Sequence, residues 1–119
     1  RMTTSSDEAM RRIDALLSHV WMVRAFLKHS EEAEDDTELQ DIHRALYDFM
    51  LALGAPWKEQ NSAAYLKQAQ KKFGKLNEAT AHFFKIQPDV SLHTNFQMAV
   101  QSLQVAVEEI GQILTASTQ

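Results

Sequence analysis

Apolar side chains in this chain return at alternating steps of three and four residues, in four separate stretches, and that rhythm admits little except helices buried against one another. Ala9, Ile13, Leu16, Val20, Val23 and Leu27 keep the step in the first stretch, and Leu39, Ile42, Leu46, Phe49 and Leu53 keep it in the second. The third runs through Leu66, Ala69, Phe73, Leu76, Thr80 and Phe83, the fourth through Leu92, Phe96, Ala99, Leu103, Ala106, Ile110 and Ile113. No segment alternates with period two, so no strand competes. A helix with one apolar stripe is not stable alone, because ordering each residue costs about 1–2 kcal/mol and an uncovered stripe returns little of it. Mutual burial of four stripes solves the problem, and short connectors turn each helix back along its predecessor. The predicted fold is all-α, an antiparallel up-down-up-down four-helix bundle, forming one domain over residues 1–119.

Punctuation residues set the expected boundaries. Ser5, Ser6, Asp7 and Glu8 supply a cap and acidic first-turn residues for a helix over roughly 6–30. The acidic run Glu31, Glu32, Glu34, Asp35, Asp36 suits a connector ahead of the next N-terminus. Thr37 with Gln40 reads as a capping box opening a second helix over 37–53, which Gly54, Ala55 and Pro56 should end. Asn61 or Ser62 caps a third over 62–86, stopping before Pro88, and Ser91 caps a fourth over 91–115. With three glycines and two prolines in 119 residues, long helices have few interruptions, although Gly74 weakens the third slightly.

Several chemistries are disfavoured by residue type. The chain has no cysteine, which removes disulfides, thiolate metal sites and cysteine nucleophiles and fits a reducing, cytoplasmic setting. A formal charge of -4 argues against nucleic acid or anionic membrane as a broad partner, since both require a dominant positive field. Arg1 to Asp7 lack the apolar core of a secretory signal, and Met2 behind Arg1 reads as a native start. The least charged stretch, Val90 to Val107, is interrupted by Asn95, Gln97, Gln101 and Gln104, so no membrane span is expected. Nor is a glycine-rich phosphate loop or a nucleophile, base and orienter at recognisable spacing present; no cofactor is expected and the balance is against an enzyme.

Histidines supply the best candidates for chemistry. The expected topology gathers His29, His82 and His93 at one end, with His43 a turn or two inside, beside the acidic connector and Asp89. Such a cluster would suit a metal ion or a pH sensor. The Glu-x-x-His spacing of bundle di-iron sites is absent, as are His-x-x-x-His and His-x-x-x-Glu, while Glu78 and His82 are spaced as a surface ion pair. The segment His82-Phe83-Phe84-Lys85 resembles the His-x-x-Lys of histidine phosphotransfer domains, four-helix bundles of similar size. That resemblance implies phosphotransfer at His82 with Lys85 beside it. Ile86 stands where the family usually has glycine, and Pro88 follows closely. Lys67, Lys71, Lys72 and Lys75 form a basic stripe without interleaved aromatics, opposite Glu38, Asp41 and Asp48, and read as a solvated face.

The fourth helix is the least ordinary. Val90 to Val107 contains no Asp, Glu, Lys or Arg, although the outer face of a monomer's helix normally carries charge. Gln97, Gln101 and Gln104 border Val100 and Val107, a second apolar line beside the core stripe. Charged residues are depleted where interfaces are buried, so this face is expected to meet a partner. Trp21 and Arg24, residue types enriched in binding hot spots, are expected to extend the same patch from the neighbouring first helix, while His43, Tyr47 and Met50 line a seam of the second. The expected role is a non-enzymatic interaction module, a homodimer or the partner of another helical protein, with a histidine-centred module as the alternative.

Overall fold

The computed structural model describes residues 5–117, which form four helices and one short turn: α1 (Ser6–Lys28), a 3-10 turn (Glu32–Glu34), α2 (Thr37–Lys58), α3 (Ser62–Val90) and α4 (Thr94–Ser117). The all-α four-helix fold read from the periodicity is the fold observed. The reading of Met2 as a start falls outside the described residues.

Two helices run through the residues expected to stop them. α2 continues past Gly54 and Ala55 and includes Pro56, and α3 includes Pro88. A proline lacks one N–H and crowds the carbonyl four residues back, a heavy cost mid-helix; within the last turn few bonds remain downstream to be disturbed. Pro56 is also buried in the bundle, and Trp57 after it lies 6.2 Å, ring centre to ring centre, from Tyr65. The real stop comes later. Gln60 adopts φ 53°, and the N–H groups of Gln60 and Asn61 bond to the carbonyls of Trp57 and Pro56. The left-handed residue that ends the helix is thus Gln60, beyond the expected stop at Gly54. Asn61 then accepts the Ala64 N–H and starts α3, as its side chain suggested.

Caps differ too. α2 is opened by Asp36, whose Oδ1 accepts the N–H groups of Glu38 and Leu39 at 2.9 and 3.1 Å. A carboxylate outcompetes the Thr37 hydroxyl at the positive end of a helix, so the expected capping box does not form. Gln40 instead donates backwards to the carbonyls of Ala33 and Glu34, at 2.8 and 3.1 Å, and clamps the acidic connector. Ser91 accepts the His93 N–H rather than capping α4, whose first turn is met by His93 Nδ1 accepting from Asn95.

Every helix contributes fully buried residues to one core, among them Met10 and Ile13 of α1, Leu39 and Leu46 of α2, Leu76 and Phe83 of α3, and Leu103 and Ile110 of α4. Among the predicted stripes Leu92, which precedes α4, is exposed, and Leu16 and Phe73 are only half-buried. Phe26, late in α1, packs edge-on against Phe96, early in α4, at 4.9 Å. Glu38, at the start of α2, bonds His82, late in α3. Tyr65 donates to Asp14 across the bundle, from the start of α3 to the first half of α1. The molecule measures 48 × 25 × 19 Å, and no helix among the described residues is long and apolar enough to cross a membrane.

Candidate interaction surfaces

A helix turns about 100° per residue, so the two neighbours of a core position point to opposite flanks. Val20 lies in the core of α1. His19, one residue before it, faces α4, where its Nδ1 lies 2.9 Å from Ser102 Oγ. Trp21, one residue after it, faces α2. The expectation that Trp21 and Arg24 extend a helix-four patch is thereby corrected, and α1 carries two distinct surfaces.

On the α4 side, the second apolar line turns out to be interior. Val100, Val107 and Leu114 are all buried, because α4 packs against both α1 and α3 and so needs a wide apolar arc. Val100 and Val107 therefore offer no surface to a partner. Gln104 is half-buried on the α3 side, in a shallow cleft with Phe73, Asn77 and Thr80. Gln97 and Gln101 are exposed, with Gln97 donating to the Leu92 carbonyl. The outward apolar residues are ones the stripe reading passed over: Met22 (65% exposed) on α1, and Met98 (53%) and Val105 (51%) on α4. Ala15, Ser18 and Gln101 are exposed as well. From Ala15 to Val23 and from Val90 to Val107 no Asp, Glu, Lys or Arg occurs, so the outer surface of both helices is uncharged at this level. Arg12 and Glu109 bound it at one end, lining a shared cleft.

On the α2 side the chemistry is different. The Arg24 guanidinium carbon stands 4.5 Å from the centre of the Trp21 ring and 5.0 Å from that of Tyr47 on α2, a cation held by two aromatic faces. Its Nε is buried without a hydrogen-bond partner among the described residues. His43 is pushed below its ordinary value of 6.5, first by burial and then by the charges of Arg24, Arg44 and Lys28. Trp21, Tyr47 and Leu51 remain 48%, 40% and 62% exposed. The seam expected from His43, Tyr47 and Met50 is thus where Arg24 belongs.

The histidine set is not assembled. Among the described residues no group of three or more His, Asp or Glu side chains is placed to hold a metal ion. His29 caps α1, His93 caps α4, His43 faces α1, and His82 Nε2 lies 2.6 Å from Glu38 Oε2 in a half-exposed pair. That pairing engages one ring nitrogen of His82, Phe83 beside it is fully buried, and Lys85 is exposed. The acidic partner of His82 is Glu38 on α2, not Glu78 on its own helix. Lys72 and Lys75 line a cleft with Asp41 and Asp48, as a solvated face with internal counter-charge would.

Periodicity identified the core but not these surfaces, since Met22, Met98 and Val105 interrupt no stripe. Their signal was angular: Met22 and Val105 each lie two residues beyond a core position, about 200° round the helix. No family model, curated protein or solved structure matches the chain.

Proposed function

We propose that this chain is a non-enzymatic interaction module that self-associates through the uncharged α1/α4 face, pairing with a second copy about a two-fold axis. The observation that carries the proposal is the coincidence, on adjoining helices, of uncharged sequence with exposed Met22, Met98 and Val105. The uncharged part of α4 from Thr94 to Val107 extends over about 20 Å, enough to seat a partner helix. A chain of net charge -4 repels its own copy, and that repulsion acts least where a surface carries no charge. A two-fold contact also sets each residue near itself or its neighbours, which a neutral surface tolerates and a charged one does not. Methionines adapt to such a contact through their unbranched, polarisable side chains.

Sedimentation analysis of the wild type, Met98→Glu and Val105→Glu tests the reading. A concentration-dependent dimer that both substitutions reduce to monomer, with helical circular dichroism intact, is the expected result. A wild type that stays monomeric at the highest attainable concentration overturns it, as does a dimer that both variants retain.

A further inference from the structure

The opposite flank of α1 carries a second surface, with chemistry unlike the first. From Ala15 in α1 to Ser30 just beyond it there is no acidic residue, and Arg24 and Lys28 fall on the side that meets α2. Arg44 and His43 join them from α2. Arg44 and Leu51 stand at the edge of this face, where they also line the next cleft with Asp41 and Asp48 of α2 and Lys72 and Lys75 of α3. The acidic connector ends the face beyond Lys28, pinned by Gln40. Among the described residues the one ion pair is His82 with Glu38, so Arg24, Lys28 and Arg44 hold no carboxylate. A chain with an excess of acids thus leaves three cations without an ion pair, Arg24 and Lys28 on this face and Arg44 at its edge, near exposed Trp21, Tyr47 and Leu51.

We infer that this face docks an acidic segment of a partner protein, whose carboxylates meet Arg24, Lys28 and Arg44 while an apolar side chain seats against Trp21, Tyr47 and Leu51. Arg24 is the centre of the site. Stacking between two rings fixes its guanidinium before a partner arrives, so little side-chain freedom is lost on binding. Aromatic and arginine side chains of this kind carry most of the energy where they occur in interfaces. The charge balance selects a segment over an extended surface. A membrane or a nucleic acid duplex spreads its negative field well beyond the about 10 Å over which charges act at moderate salt, and so meets the net negative charge of the whole chain. A short acidic segment meets only the patch.

The test is titration of the isotopically labelled protein with a short synthetic peptide of interspersed Glu and Leu, read from the indole N–H signal of Trp21. A control peptide carries Gln for every Glu. Saturable shifts at Trp21, lost at high salt and weakened about tenfold or more in Arg24→Gln, are expected. Arg44→Gln, at an exposed position, provides a second variant should Arg24→Gln perturb the fold. Absence of saturable shifts, equal binding of the Gln peptide, or equal affinity in both variants overturns the inference. Retention on phosphatidylserine vesicles without peptide binding also overturns it, in favour of a lipid surface. Dimerisation through the α1/α4 face is not needed for any of these readouts, and Val105→Glu should bind the peptide as the wild type does.

Discussion

Phe73 of α3 fills the space that a β-carbon on Gly111 of α4 would need: its Cζ would stand 2.9 Å from such an atom. Glycine there lets the two helices close over the ring. At Gly54 and Gly74 nothing lies within 4 Å of the same imagined atom.

These three helical glycines should therefore respond differently to alanine. Gly54→Ala and Gly74→Ala are expected to stabilise the fold by about 0.5–1 kcal/mol each, since both restrict the unfolded chain and meet no obstruction. Gly111→Ala gains the same helix propensity but must displace the half-buried Phe73 ring, and should fall short of the other two or lower stability. Urea unfolding of the three variants makes the comparison; an equal gain at all three positions would refute the close approach.

Val100 and Val105, about 1.4 helical turns apart, should separate core from surface on α4. Val100 is buried and Val105 is half exposed. Val100→Glu leaves an unpaired carboxylate in the core and is expected to cost more than about 3 kcal/mol. Val105→Glu should change monomer stability by no more than about 0.5 kcal/mol. Thermal unfolding followed by circular dichroism distinguishes the two.

Asp14 makes stability depend on pH. Burial pushes its carboxyl above the ordinary value of 3.8, against the Tyr65 hydroxyl, which donates to it at 3.3 Å and pulls it down. The folded state therefore holds the proton more tightly than the unfolded one. Its contribution is fully present below about pH 3.8 and is lost as pH rises through the raised folded value. Asp14→Asn keeps an oxygen for Tyr65 and removes the ionisation. Its melting temperature should at least match the wild type at pH 7 and lose that advantage at pH 3.

His43 runs the other way. Its folded value lies below 6.5, so the neutral ring is favoured, and the stability this confers is present above pH 6.5 and lost as pH falls towards the folded value. Burial is the larger cause, with Arg24 the first of the three charges that add to it. Arg24→Gln should raise the His43 titration midpoint while leaving it below 6.5. Proton NMR of the imidazole reads this directly, and an unmoved midpoint would show that Arg24 does not act on His43.

Much of the fold was legible because burial and helical period are linked by geometry. Ile13, Leu46, Phe83 and Leu103 could be assigned to the core by step alone, and all are buried. The ends were less legible, since they are decided by competition among nearby acceptors. Asp36 took the cap from Thr37, and the left-handed residue was Gln60 when glycine was available six positions earlier. The surfaces were harder still. Trp21 and Arg24 were singled out by residue type, but which neighbour they met depended on the sense in which α1 faces α2 and α4. Val100 and Val107 looked like a line for a partner because sequence shows how wide an apolar arc is, not how many helices cover it. The histidines failed as a set for a related reason: sharing one end of a bundle does not bring side chains within reach of one ion.

The clamp of Gln40 on the carbonyls of Ala33 and Glu34 has a consequence in time. A highly charged connector ordinarily opens and closes many times while the helices beside it stay folded, and exchanges its amide hydrogens accordingly. Here Ala33 is buried, its N–H is taken by the Ser30 hydroxyl, and its carbonyl is held from α2. The Ala33 amide should then exchange on the clock of the whole bundle, and Gln40→Ala should set it running on a clock of its own.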